Sequence, residues 1–83
     1  MKGEVSSLAA KAFVLIETTV GRTREVTRAL QQLAGVKSVD SVTGPYDIIV
    51  IIEGEKLDDI GVLVTEKIHP VSGISRTVTC LAI

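Results

Sequence analysis

The sequence predicts an α+β fold of order β-α-β-β-α-β, with both helices on one side of a four-stranded sheet. Three observations predict it. The segments Lys11–Thr18 and Tyr46–Glu53 are short, rich in β-branched residues and apolar at consecutive positions, as buried strands are. Each is followed, after a glycine, by a stretch with apolar residues at helical spacing. The two middle strands are joined only by the turn Thr43-Gly44-Pro45-Tyr46-Asp47, too short to hold a helix.

The first strand spans Lys11 to Thr18, with Phe13 and Leu15 on one face and Val14 and Ile16 on the other. Gly21 ends it, and Thr23 is placed as the N-cap of the first helix. Val26, Leu30 and Leu33 mark one face of that helix, and Gly35 closes it with the backbone freedom a C-cap needs. Val36 to Thr43 is a more polar second strand, expected at an edge or with a bulge. In the third strand, Ile48, Val50 and Ile52 face one way and Ile49 and Ile51 the other. The second helix runs from Leu57 to Ile68, with Asp58 and Asp59 in the first turn, where carboxylates complement the helix dipole. Its stripe is Leu57, Ile60, Val64 and Ile68, with Gly61 expected to allow close approach to the sheet. His69-Pro70 stops it, and Ile74 to Ala82 forms the fourth strand. Gly35-Val36 and Gly73-Ile74 echo each other after the two helices. This is the split β-α-β, or ferredoxin-like, arrangement. Right-handed crossovers place both helices on the same face.

The other face then poses a physical problem. A sheet face open to water should alternate apolar with polar residues, and strands one and three do not. Left bare, it is a larger apolar patch than monomers usually expose. The expected remedy is a two-fold homodimer, a dimeric α/β barrel with sheets packed face to face. The alternative, residues 1–10 folding back over the sheet, has too few and too polar residues.

At 83 residues the chain has room for one core, so residues 11–83 are read as one domain and 1–10 as an N-terminal extension. Its formal net charge is −1, with the basic residues dispersed, which argues against direct nucleic-acid binding. No apolar run is long enough to span a bilayer, and residues 1–10 lack a signal-peptide core, so the expected location is the cytoplasm. The lone Cys80 excludes an intrachain disulfide and a cysteine-built zinc site, and is read as a small buried hydrophobe. His69, the only histidine, stands at a helix end and is read as a surface capping residue rather than a metal ligand or base. No catalytic residues, metal site or cofactor are expected.

From Lys11 to Ile83 these features resemble the effector-binding (RAM) domain of the Lrp/AsnC transcriptional regulators, in a stand-alone form without the helix-turn-helix half. The resemblance is carried by Gly35-Val36, the turn Thr43-Gly44-Pro45-Tyr46-Asp47, the helix end Val64-Thr65-Glu66-Lys67-Ile68, and the strand Gly73-Ile74-Ser75-Arg76-Thr77-Val78-Thr79. It implies dimers that assemble into rings, small effectors (usually amino acids) bound where dimers meet, and a full-length Lrp/AsnC regulator as a further partner. It implies Gly44, Tyr46 and Asp47 as effector contacts from the turn, and Thr77 and Thr79 from a neighbouring subunit's last strand. Pro45 departs from the polar residues common there in the family and removes one backbone donor.

The chemistry suits a zwitterion. Asp47 can pair with an ammonium, and hydroxyls and backbone N–H groups can receive a carboxylate. Gly44 lets the backbone approach a ligand, and Thr77 and Thr79, two apart on a strand, share a face. Each residue also has a structural reading: Asp47 as a bond to turn amides, Gly44 as a backbone requirement, and the threonines as strand formers. Two other functions stay open, a small dimeric α/β-barrel enzyme and an oligomerisation module with no ligand.

Overall fold

The computed structural model describes residues 10–83. In chain order these form β1 (Ala10–Thr18), α1 (Thr23–Gln31), β2 (Val36–Ser41), β3 (Ile48–Gly54), α2 (Leu57–Val62), a π-helix (Leu63–Ile68) and β4 (Ile74–Leu81). The extension expected over residues 1–10 lies outside the described residues except for Ala10, which opens β1. The strands make one antiparallel sheet of order β2-β3-β1-β4, the ferredoxin-like topology expected from the element order. The polar β2 is an edge strand, and its register slips between Val36 and Ser38.

Pairing in register settles which face is which. Phe13 stands opposite Ile51 and Leu15 opposite Ile49, while Val14 faces Val50 and Ile16 faces Ile48. Ala12, Val14, Ile16, Ile48, Val50 and Ile52 are buried beneath the helices. Val26 and Leu30 from α1, and Ile60, Leu63, Val64 and Ile68 from the second helical segment, complete this core. Phe13, Leu15, Ile49, Ile51 and Val78 line the opposite face and are only half-buried. Cys80, opposite Phe13 on that face, is exposed rather than buried, because no element of the described chain covers it. Around this apolar centre lie the pairs Arg76–Glu17 (3.4 Å) and Lys37–Glu53 (3.8 Å), and the Lys11 ammonium over the Phe13 ring at 5.3 Å. An apolar middle with a charged margin is how protein interfaces are built.

Four local expectations change. Thr23 is the first residue of α1 and not its cap; Arg22 occupies that position, without a side-chain cap bond. The Thr23 hydroxyl instead meets that of Thr18 at 2.7 Å. Leu57 and Gly61 stand off the sheet: Leu57 is 60% exposed, and nothing lies within 4 Å of where a Gly61 Cβ would be. The reason is helical phase, since Leu57, Gly61 and Thr65 form a row at i, i+4 and i+8 beside the core row of Ile60, Val64 and Ile68. Asp59, by contrast, supports the helix start as its position suggested, accepting the N–H groups of Glu55 and Lys56 at 3.0 Å each.

The fourth change is the π-helix. In an α-helix each four-residue step overshoots a full turn by about 40°, so a core row taken in steps of four rotates away from the sheet. The wider turn over Leu63–Ile68 recovers part of that rotation and keeps Leu63, Val64 and Ile68 all buried. The His69 N–H closes it on the Val64 carbonyl at 2.9 Å, an i→i−5 bond.

Candidate functional site

The turn before β3 is built on a backbone only glycine takes readily: Gly44 has φ +131° and is exposed, with open space where a Cβ would lie. Pro45 is exposed and Tyr46 half-buried. Asp47 is tied down at three points. Its N–H donates to the Ile16 carbonyl at 2.9 Å, and its carbonyl accepts the Val42 N–H at 2.9 Å. Its Oδ2 accepts the Thr18 N–H at 2.8 Å and the Thr18 hydroxyl at 3.2 Å. The carboxylate therefore bonds the end of β1 rather than the amides of its own turn. Through the Thr18–Thr23 hydroxyl pair it also reaches the start of α1. Among the described residues the second oxygen, Oδ1, has no such bond, so one side of the carboxylate is left to accept another donor.

On β4, Thr77 pairs with Ile16 and Thr79 with Val14, so both threonines face the helix side of the sheet. The Thr77 hydroxyl meets His69 Nε2 at 3.0 Å. His69 is thus exposed at the helix end, as expected, but its side chain turns to β4 instead of to the last carbonyls of the helix. Thr79 borders a depression of about 360 Å³ with Leu57, Ile60, Gly61, Val64, Thr65 and Leu81. A second depression, of about 230 Å³, lies beside His69, Ser75, Arg76 and Thr77.

The five residues expected to contact an effector therefore fall into two groups. The turn group sits on the β3 side of β1 and the threonine pair on its β4 side, so β1 separates them within one chain. Sequence reasoning did not pair His69 with Thr77. The only signal was its position, closing a helix eight residues before Thr77, and it needed the π-turn to become visible. Among the described residues no group of three or more His, Cys, Asp or Glu side chains could hold a metal ion. No described helix is long and apolar enough to cross a membrane.

Residues 11–83 match the family model of the Lrp/AsnC ligand binding domain, and the chain belongs to that family. It is 32% identical over 79 residues to an HTH-type transcriptional regulator of Pyrococcus furiosus, covering 92% of this chain and 53% of the regulator. The chain thus spans about half the length of the curated regulators it matches. It is also 38% identical over 61 residues to a homocitrate synthase of Sulfurisphaera tokodaii, covering 74% of this chain but 13% of the synthase. The crystal structure of FFRP-DM1 superposes with TM-score 0.85 at 39% identity, over 89% of this chain and 99% of that one. A transcriptional regulator of Neisseria meningitidis, solved as its L-Met complex, shares the fold with TM-score 0.84 at 15% identity, over 100% of this chain and 55% of that one. The family is a regulator-type ligand-binding domain and not an enzyme family, and the synthase match covers only a part of that enzyme.

Proposed function

We propose that this chain is an amino-acid-effector-binding and oligomerisation module that modulates transcription regulation without contacting DNA itself. The observation that carries the reading is the ligand-binding-domain match across residues 11–83. Residues 11–83 act as the working module, with 1–10 as an extension. The open face of the sheet pairs with that of a second copy, and the dimers join further into rings. That assembly brings the Gly44–Asp47 turn of one subunit to the Thr77–Thr79 strand of a neighbour. The Oδ1 of Asp47, without a hydrogen bond among the described residues, takes the effector ammonium, and Gly44 and Tyr46 shape the backbone around it. The hydroxyls of Thr77 and Thr79 take the carboxylate. The neisserial regulator's L-Met complex supports an amino acid as the ligand class. A full-length Lrp/AsnC regulator, sharing the same open face, is a second partner. The reading has no membrane contact, no catalytic step and no cofactor, and places the module in the cytoplasm.

Titration calorimetry with each standard amino acid, on protein verified as folded and assembled, tests the proposal. Binding of at least one at a ratio of one per subunit or one per dimer is expected, and silence from all of them would sink it.

A second reading draws on the synthase segment, which is as similar to this chain as the regulators are. In it the module senses the same class of effector but transmits the signal to an enzyme. Co-purification with a regulator or with a synthase separates the two readings.

A further inference from the structure

At the end of β1 the Asp47 carboxylate takes the place of a strand partner. β3 begins at Ile48, opposite Ile16, so Thr18 runs past the end of that ladder. Its N–H is met at 2.8 Å by Asp47 Oδ2 instead of by a strand carbonyl. On the other flank the pairing of β1 with β4 slips between Glu17 and Thr18, and the Thr19 N–H fixes the chain to the Gly73 carbonyl at 2.8 Å. Such irregularities re-aim a side chain where a sheet ends. Here the side chain is that of Thr18, held from both sides.

Counting protons gives this cluster a direction. A carboxylate only accepts, and a hydroxyl has a single proton to donate. The Thr18 hydroxyl lies 3.2 Å from Oδ2, so its proton goes there. The 2.7 Å contact between the Thr18 and Thr23 hydroxyls is then made with Thr23 as the donor. The chain of bonds runs from Thr23 to Thr18 and from Thr18 to Asp47. Thr23 is the first residue of α1, and its hydroxyl turns to β1 rather than to the helix amides, so helix capping does not account for it. All three side chains are half-buried, where such bonds are stronger than in open water. With two Thr18 donors on Oδ2 the carboxylate is fixed in orientation, and Oδ1, unbonded among the described residues, is the oxygen left for a ligand.

We infer that Thr18 and Thr23 are positioning residues of the effector turn, setting the Asp47 carboxylate so that its Oδ1 receives the ammonium of the ligand. The inference rests on the effector-binding reading above and adds to it two residues that lie neither on the turn nor on β4. Thr23 acts through Thr18, and Thr18 acts through Asp47. Neither touches the ligand.

The test is calorimetry on the full chain. Each standard amino acid is titrated, and the tightest is compared with the carboxylic acid that lacks its amino group, which isolates what the ammonium contributes. Thr18→Val keeps the β-branched shape and the backbone N–H bond but removes the hydroxyl. It should weaken the amino acid about tenfold, the worth of one charge-assisted hydrogen bond, and leave the desamino acid within about twofold. Thr18→Ser should restore most of the loss. Thr23→Val should weaken the amino acid about threefold, as loss of a neutral hydrogen bond would. The double valine variant should bind no more weakly than Thr18→Val alone, because links of one chain do not add. Thermal scans and sedimentation check that each variant folds and assembles; if Thr18→Val unfolds, Thr23→Val makes the same comparison one bond further out. Equal weakening of the amino acid and its desamino form, a lowered Tm with binding unchanged, or additive losses in the double variant would overturn the inference. Parent protein that binds, with both valine variants binding equally well, removes this inference alone. Parent protein silent to every amino acid removes the effector reading and this inference with it.

Discussion

The Asp47 carboxylate accepts the backbone N–H of Thr18 at 2.8 Å, and through it the turn before β3 is locked to the last residue of β1. The two lie 29 residues apart, so the bond closes a long loop that includes α1 and β2. A charge-assisted bond of this kind contributes about 1.5–3 kcal/mol. Asp47→Ala should therefore lower stability by about 1–2 kcal/mol, allowing for the partial exposure of the group. Asp47→Asn keeps an acceptor and should lose less. Urea unfolding at fixed protein concentration measures both, and a change below about 0.5 kcal/mol for the alanine variant would remove the structural role.

Most of the fold was legible in the sequence, and the reasons are local. β1 and β3 announce themselves because five or more consecutive apolar residues fit only a strand covered on both sides. The echo of Gly35-Val36 in Gly73-Ile74 marked the two equivalent exits from helix to strand. What escaped depended on helical phase and on partners distant in sequence. Leu57 was assigned to the core stripe although it lies one row off, and the π-turn has no composition of its own. His69 was read at its own helix end, whereas its partner Thr77 lies on another element. The turn and the threonine strand were rightly placed on separate elements, but periodicity says nothing of β1 running between them.

The two echoed glycines each meet the helix of the other half. An added Cβ at Gly35, which follows α1, would lie 3.0 Å from Leu63 Cδ2, and one at Gly73, which follows the π-helix, 2.9 Å from Val26 Cγ2. Both have positive φ, +91° and +101°, so alanine adds backbone strain to the overlap. The strain alone costs about 1–2 kcal/mol. Gly73→Ala and Gly35→Ala should each lose about 2–4 kcal/mol once the contact is included. Gly44→Ala has the strain and no overlap, so it should cost about 1–2 kcal/mol. Equal losses at Gly73 and Gly44 would show that crossed packing contributes nothing.

Gly61 supplies the opposite case. It lies in the second helical segment with ordinary backbone angles and open space around it, so nothing structural requires glycine there. Alanine in its place should raise stability by about 1 kcal/mol through helix propensity alone. For a domain of this size that corresponds to roughly 4–8 °C in Tm. A thermal scan reads it directly, and a fall in Tm would mean that the backbone at Gly61 is under a constraint invisible in its angles.

The open sheet face and the helix-side core differ in what they tolerate, although both are lined by β-branched residues of the same strands. Val50 and Ile51 are neighbours on β3, one fully buried under the helices and the other half-exposed on the open face. An aspartate at position 50 would place an unpaired charge in the core and should prevent folding. An aspartate at position 51 should leave the helical circular dichroism intact while converting the protein to monomer, because only the proposed dimer buries that face. Cys80, which shares the face, supplies an internal reporter. In the dimer its thiol should react with a thiol-specific reagent at least tenfold more slowly than in Ile51→Asp, where nothing shields it. A thiol equally reactive in both proteins, or an Ile51→Asp variant that sediments at the size of the parent, would place the partner on some other surface.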